Sequence, residues 1–262
     1  ATWPIKMELE LANKSVIISG SSRGIGLAIA QSFLAEGAQV LITGRDSAAL
    51  DAARATLASD YPDDAIATHS GDMTDTKVIA AALAVGEKSF GGIDAVVANI
   101  GDGKGNTGWD LTRTDWQDTM NTNLFAGMLL ASAAVPYLKR RGKGCITFIS
   151  SIAGIEAIPA PIPYSAAKAA LQHAAKNLAR QLGGVGIRVN TVAPGNVLFP
   201  GGTWERKILA DKAAVDQYIE SEVPLNRFAT PAEIAEAVVF LSSARAAFIT
   251  GTVLVVDGGQ TR

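Results

Sequence analysis

"SVIISGSSRGIGLAIAQSF", residues 15 to 33, joins an apolar β-branched run to a run of helical spacing through glycines at 20, 24 and 26. The first run reads as a buried strand and the second as a helix that opens directly after it. Glycine at such a junction lets the backbone turn tightly and bring its N–H groups close to a ligand. The unpaired N–H groups and the positive dipole end of the helix then favour an anion such as a pyrophosphate. A tight strand-to-helix turn needs glycine in any case, so the weight of the pattern comes from its position after the first strand.

Outward from this unit the pattern repeats. Further strands are expected at 39–43, 65–69, 94–99, 145–150, 187–193 and 252–256, with helical patterns at 24–36, 46–59, 74–90, 112–141, 163–182 and 231–243. Strand–helix alternation with apolar strands predicts an α/β fold of the doubly wound Rossmann type, a seven-stranded parallel sheet covered by helices on both faces. The expectation is a single domain over 1–262. Its one long interval without a strand, 194–230, is read as a helical flap at about 196–225.

With 262 residues, 48% of them hydrophobic, the chain can bury one large core. A formal net charge of −2 gives no global field for nucleic acid or an anionic membrane, which points to a small molecule as partner. The single cysteine, Cys145, sits in an apolar strand and is expected to pack as a small hydrophobe in a reducing compartment. No apolar run is long enough to span a membrane, and the opening "ATWPIKMELELANK" lacks the apolar core of a leader, so a cytoplasmic location is expected. One cysteine, two distant histidines (His69 and His173) and no carboxylate cluster at ligand spacing leave no metal site to propose.

The end of the second strand, "VLITGRD", lies where a dinucleotide-binding unit meets the adenosine ribose. A carboxylate there would hold the two ribose hydroxyls of NAD(H), whereas arginine accommodates the 2′-phosphate of NADP(H). Arg45 comes first, Asp46 has a role available as the N-cap of the next helix, and Arg23 adds a second positive charge. NADP(H) is therefore expected, with NAD(H) as the alternative. Farther on, "PAPIPYSAAK" places Tyr164 in the first turn of a helix and Lys168 one turn later on the same face. A nearby cation lowers a phenol's pKa, so Tyr164 is expected to act as general acid or base on a carbonyl or alcohol. Ser151, at the carboxyl edge of the fifth strand, can hold the substrate oxygen.

Taken together these motifs resemble the short-chain dehydrogenase/reductase family in its classical form, over essentially the whole chain. The glycine pattern of that family is similar to "SGSSRGIG", which makes Gly20, Ser22, Arg23, Gly24, Ile25 and Gly26 candidate cofactor contacts. The resemblance places Asp72, with Met73 beside it, against the adenine. It places Asn99 and Gly101 of "ANIG" along the cofactor, with Ile100 where alanine is usual. It implies a catalytic set of Asn123, Ser151, Tyr164 and Lys168, with Lys168 also on the nicotinamide ribose and Asn123 holding a relay water. Pro194, Gly195 and Val197 would line the nicotinamide carboxamide, whereas Thr203 lies too late for the family's phosphate contact.

The substrate pocket is expected from Ile100, Ser151, Ile152, Ala153, Ile155, Asn196, Phe199 and Trp204, a mostly apolar set. The function implied is hydride transfer between an NADP-type nicotinamide and a ketone or secondary alcohol, with a 3-ketoacyl thioester first among substrates. A sugar, polyol or cyclic alcohol oxidised with NAD is the alternative, and a catalytically silent NADPH-binding sensor is the alternative outside enzymology. The resemblance further implies a homotetramer or homodimer, built through the last strand and the helices at 112–141 and 163–182.

Overall fold

The computed structural model describes residues 8–262; the reading of residues 1–7 lies outside them. Seven parallel strands form one sheet: β1 Ser15–Ile18, β2 Gln39–Gly44, β3 Ile66–Ser70, β4 Ala95–Ala98, β5 Gly144–Ile149, β6 Ile187–Pro194 and β7 Val253–Val256. Their spatial order is β3-β2-β1-β4-β5-β6-β7. Chain order therefore reverses between β1 and β4, and in such a sheet the crevice beyond the carboxyl ends of these strands is where a ligand binds.

The helices α1 (Gly24–Ala35), α2 (Ser47–Ala58) and α9 (Pro231–Ser242) cover one face. The other face carries α3 (Thr76–Phe90), α5 (Ala126–Arg140) and α6 (Ile162–Leu182). Alternation along the strands divides the core between the two faces. Val16, Ile18, Val40 and Ile42 pack with Ile29, Phe33, Leu57 and Val238. Ile17, Leu41 and Val96 pack with Leu83, Leu130 and Leu171 on the opposite side. Cys145 is buried and unpaired, as a small hydrophobe should be.

Two helix starts follow the capping chemistry of their sequences. Asp46 accepts from the Ala49 N–H at 3.2 Å, and Thr230 forms a reciprocal box with Glu233 at the start of α9. The expected helix at 112–141 is divided: α4 (Arg113–Met120) and α5 are joined by a π turn at Asn121–Phe125. Within that turn Asn123 is buried, with Nδ2 donating to the Thr119 carbonyl at 3.2 Å, while the Ala126 N–H reaches Asn121 O, one residue farther than an α-helix allows. Helical spacing in sequence cannot reveal that extra residue.

The interval after β6 holds α7 (Thr203–Ala210) and α8 (Lys212–Glu222), packed on a small core of Val215, Val223 and Phe228. Among the described residues no helix is long and apolar enough to cross a membrane, and no three His, Cys, Asp or Glu side chains gather as for a metal ion.

Candidate active site

The loop after β1 is held by its neighbours on both sides. Ser21 Oγ donates to Ile18 O at 2.7 Å and accepts from the Thr43 N–H of β2 at 2.8 Å. From β4, Asn99 Nδ2 donates to Gly20 O at 2.9 Å, and the Asn99 N–H donates to Ser19 Oγ at 2.9 Å. Gly26 has no room for a side chain: a Cβ there would overlap the Gly20 carbonyl oxygen and stand 2.6 Å from Asn99 Nδ2. Helix α1 thus starts hard against the loop, its first N–H groups turned to the crevice.

Asp72 follows β3 and accepts from both the N–H and the hydroxyl of Thr74 at 2.9 Å. The Thr74 N–H is the largest cause of its lowered carboxyl pKa; burial opposes this, and the Thr74 hydroxyl and the Arg45 charge add to the lowering. Arg45 and Arg23 line the same cavity as Asp72, and neither forms an ion pair among the described residues. One oxygen of Asp46 caps α2, and Asp46, unlike Arg45, does not line the cavity.

The Tyr164 end is built on β5, α4, the π turn and α6. Pro163 fits the first turn of α6, where a missing N–H costs nothing, and Tyr164 and Lys168 leave the helix one turn apart. Lys168 is 3% exposed, and its Nζ donates to the Ile149 carbonyl of β5 at 3.0 Å and lies 5.8 Å from the centre of the Tyr164 ring. A Cβ on Gly101 would stand 2.7 Å from both Lys168 Nζ and Asn123 Oδ1, so the loop after β4 passes these groups only as glycine. The next N–H, that of Asp102, donates to Asn123 Oδ1 at 3.0 Å. Gln172 Nε2 donates to Ser150 Oγ and to the Ser151 carbonyl, both at 3.0 Å, and Ser151 Oγ accepts from the Ala153 N–H at 3.1 Å.

The electrostatics correct one expectation. Burial pushes the Tyr164 phenol up; the Ser151 hydroxyl pulls it down and the Asp102 carboxylate pushes it up again. The expected lowering by Lys168 does not appear, because removing a phenol from water disfavours phenolate more than its neighbours favour it. Burial also brings Lys168 down to about 8, with Asp102 opposing. The protein alone therefore keeps the phenol protonated and leaves the ammonium easy to discharge.

One cavity of about 740 Å³ runs from Arg45 to Lys207. It brings together Gly20, Ser22, Arg23, Ile25, Gly26, Asp72, Met73, Asn99, Gly101, Pro194, Gly195 and Val197 with Ile100, Ser151, Ala153, Tyr164, Lys168, Asn196, Phe199 and Trp204. Four expected residues lie off its lining. Asn123 supports the wall from behind, and Gly24 is covered by the Phe199 ring. Ile152 is turned into the interior at 1% exposure and Ile155 stands outside at 44%, because the short turn Ile152–Gly154 brings Ala153 to the cavity and directs these two side chains elsewhere. Sequence reasoning missed Asp102, Lys104, Asp118, Arg206 and Lys207, all on the lining. For Asp102 a signal was present, since it directly follows the Gly101 that the motif requires. Thr203, set aside as too late in the chain, also reaches the lining.

A family model described as enoyl-(acyl carrier protein) reductase matches residues 20–261. The chain is similar to 2-(S)-hydroxypropyl-CoM dehydrogenase 3 of Xanthobacter autotrophicus, 34% identical over 97% of this chain and 99% of that protein. It is similar also to a 3-oxoacyl-[acyl-carrier-protein] reductase of Chlamydia muridarum, 36% identical over 95% of this chain and 98% of that one. Among solved structures, L-sorbose reductase from Gluconobacter frateurii, complexed with NADPH and L-sorbose, superposes with a TM-score of 0.91 at 32% identity, covering 97% of this chain and 98% of that one. With the glycine loop, the Ser151–Tyr164–Lys168 site and a sevenfold parallel sheet already in place, the chain belongs to the classical short-chain dehydrogenase/reductase family, oxidoreductases of CH–OH and C=O groups.

Proposed function

We propose that the chain is one NADP(H)-dependent domain that interconverts a ketone and a secondary alcohol, with residues 196–225 as its substrate flap. The observation that carries the cofactor preference is the position of Asp46. Its carboxylate caps α2, while Arg23 and Arg45 line the cavity that also holds Tyr164. The residues present fit such a cofactor: Gly26 tolerates no Cβ, which keeps the α1 N-terminus open to a pyrophosphate, and two arginines are left for a 2′-phosphate. Gly20, Ser22, Ile25, Asp72, Met73, Asn99 and Gly101 would hold the dinucleotide together with Pro194, Gly195 and Val197. When bound, the nicotinamide supplies or accepts the hydride.

In reduction, the Ser151 hydroxyl donates to the carbonyl oxygen and holds it within reach of Tyr164. The phenol, kept protonated by burial, gives that oxygen its proton as alkoxide character develops. Lys168 sits behind the phenol with a proton that leaves at about 8, so it can restore what Tyr164 gave. Asn123 keeps the loop after β4 in place through the Asp102 N–H.

The lining supports a more polar substrate than the apolar set predicted. Ile152 and Ile155 drop out, whereas Asp102, Lys104, Asp118 and Lys207 enter. Hydroxyl-bearing ketones or sugars fit such a wall, and the 3-ketoacyl thioester becomes the second reading, favoured by Phe199 and Trp204. Kinetics with NADPH and NADH over L-sorbose, other ketoses, cyclohexanone and acetoacetyl-CoA tests both readings. A preference for NADH would overturn the cofactor proposal, and silence over the whole panel despite NADPH binding would favour a sensor. Self-association is proposed through the α4–α5 face, where Trp116, Phe125 and Leu129 are exposed, and through β7, whose outer edge pairs with no strand among the described residues.

A further inference from the structure

Asn196 follows β6 and lines the cavity, but its side chain is already engaged. Nδ2 donates to Tyr218 Oη at 3.2 Å and to Gln260 Oε1 at 3.0 Å, and Oδ1 accepts from Trp204 Nε1 at 3.0 Å. Gln260 Nε2 closes the ring by donating to the same Tyr218 oxygen at 2.7 Å. Four segments are tied by these bonds: the loop after β6, α7, α8 and the residues after β7. The backbone repeats the tie at the base of the flap, where the Ala229 N–H donates to Asn196 O and the Leu198 N–H to Ala229 O, both at 2.9 Å. Around the ring, Trp204 stacks on Tyr218 at 5.1 Å and meets Phe228 at 4.4 Å.

Both Nδ2 protons and one Oδ1 lone pair of Asn196 are spent in this part-buried ring, so a substrate carbonyl could accept a hydrogen bond from Asn196 only by breaking it, at the cost of leaving a ring member unsatisfied. Trp204 also lines the cavity, and Asn196 holds it in place by its indole N–H. We propose that Asn196 is a positioning residue that sets substrate selectivity: it holds the Trp204 wall by hydrogen bonds and does not touch the substrate. Tyr218 and Gln260, which stand off the cavity lining, are the rear anchors of the same device. The inference rests on reading the Trp204 side of the cavity as the substrate half.

The test compares wild type with Asn196→Ala, Tyr218→Phe, the double variant and Trp204→Ala, using ethyl acetoacetate and the bulkier ethyl benzoylacetate with NADPH. Asn196→Ala should raise KM for the smaller ketone about tenfold and shift preference toward the larger, with kcat changed less than threefold and the NADPH Kd within twofold. Tyr218→Phe, which removes one oxygen behind the wall, should act in the same direction more weakly, and the double variant should be no worse than Asn196→Ala alone. If Trp204→Ala raises KM while Asn196→Ala and Tyr218→Phe leave it unchanged, the latch is wrong and the substrate half stands. If Trp204→Ala leaves KM unchanged, the substrate half itself is wrong and the proposal falls with it. Should neither ketone turn over, trypsin cleavage after Arg206 and Lys207 decides: Tyr218→Phe must be cut severalfold faster than wild type, and equal rates overturn the proposal.

Discussion

The glycine loop and the α7–α8 segment face one cavity, and they are held by different physics. The loop is fixed by backbone approach: Gly26 lies against Gly20, and the side chains of Ser21 and Asn99 bond main-chain atoms of β1, β2 and the loop itself. The α7–α8 segment is fixed by side chains bonding side chains, around three aromatic rings and two amides. A site that recognises an invariant phosphate can use the part of the chain that no substitution alters. A site that must fit one substrate among many uses atoms that substitution can change one at a time. The difference teaches that alterations in the first region should be all-or-none and alterations in the second should be graded.

Tyr164 lines the cavity that both regions face, and its removal should have the largest effect. Tyr164→Phe is expected to lower kcat by about 10²–10⁴-fold while NADPH binding, followed by fluorescence, stays within a few fold. Near wild-type turnover would refute the acid role. The pH profile sharpens the same point. Lys168 carries its proton below about 8, so carbonyl reduction should hold steady below that pH and decline as the pH rises through it. A profile flat to pH 10 would show that the Lys168 proton does not matter.

Gly26→Ala is the direct attempt to break the loop region. The new Cβ would meet backbone, which cannot yield as the end of a side chain can, so a cost of about 1–3 kcal/mol or more is expected. Urea unfolding should show that loss, and NADPH affinity should fall at least about tenfold, a loss of about 1.4 kcal/mol. Full stability with intact NADPH binding would mean that α1 can move, and the contrast with the α7–α8 segment would lose its basis.

What could be read from sequence follows the same division. The strands, the glycine loop and the spacing of Ser151, Tyr164 and Lys168 are local patterns, and each lies where its pattern placed it. The π turn is invisible because helical periodicity does not record a single extra residue. Lys207 reaches the cavity only through the packing of α7, from a distant part of the chain, whereas Asp102 could have been read from its place beside Gly101. Nearness to Ser151 in sequence suggested Ile152 and Ile155, but the turn that follows Ser151 sends one inward and the other outward. The direction of the Tyr164 shift was misjudged for a related reason: the Lys168 charge can be read from sequence, whereas the burial that outweighs it is a property of the folded site.

Arg45→Ala should change the ratio of kcat/KM for NADPH over NADH by about tenfold or more, about 1.4 kcal/mol, because a charge-assisted contact to the 2′-phosphate is lost and nothing on the NADH side is gained. An unchanged ratio would leave Arg23 as the reader of the phosphate and place Arg45 in solvent.

The smallest effect is expected at the neighbouring residue, and it separates a structural carboxylate from a recognising one. If Asp46 only caps α2, Asp46→Ala removes one acceptor from the Ala49 N–H and costs about 1 kcal/mol, which in a chain of this size lowers Tm by about 2–4 °C. Asp46→Asn, which keeps a capping oxygen, should restore most of that stability. Neither change should worsen the use of NADH, since the capped carboxylate is not offered to a ribose. If instead NADH turnover collapses in both variants while Tm holds, Asp46 leaves its cap to bind the ribose hydroxyls. The cofactor half would then depend on an exchangeable side chain just as the α7–α8 segment does.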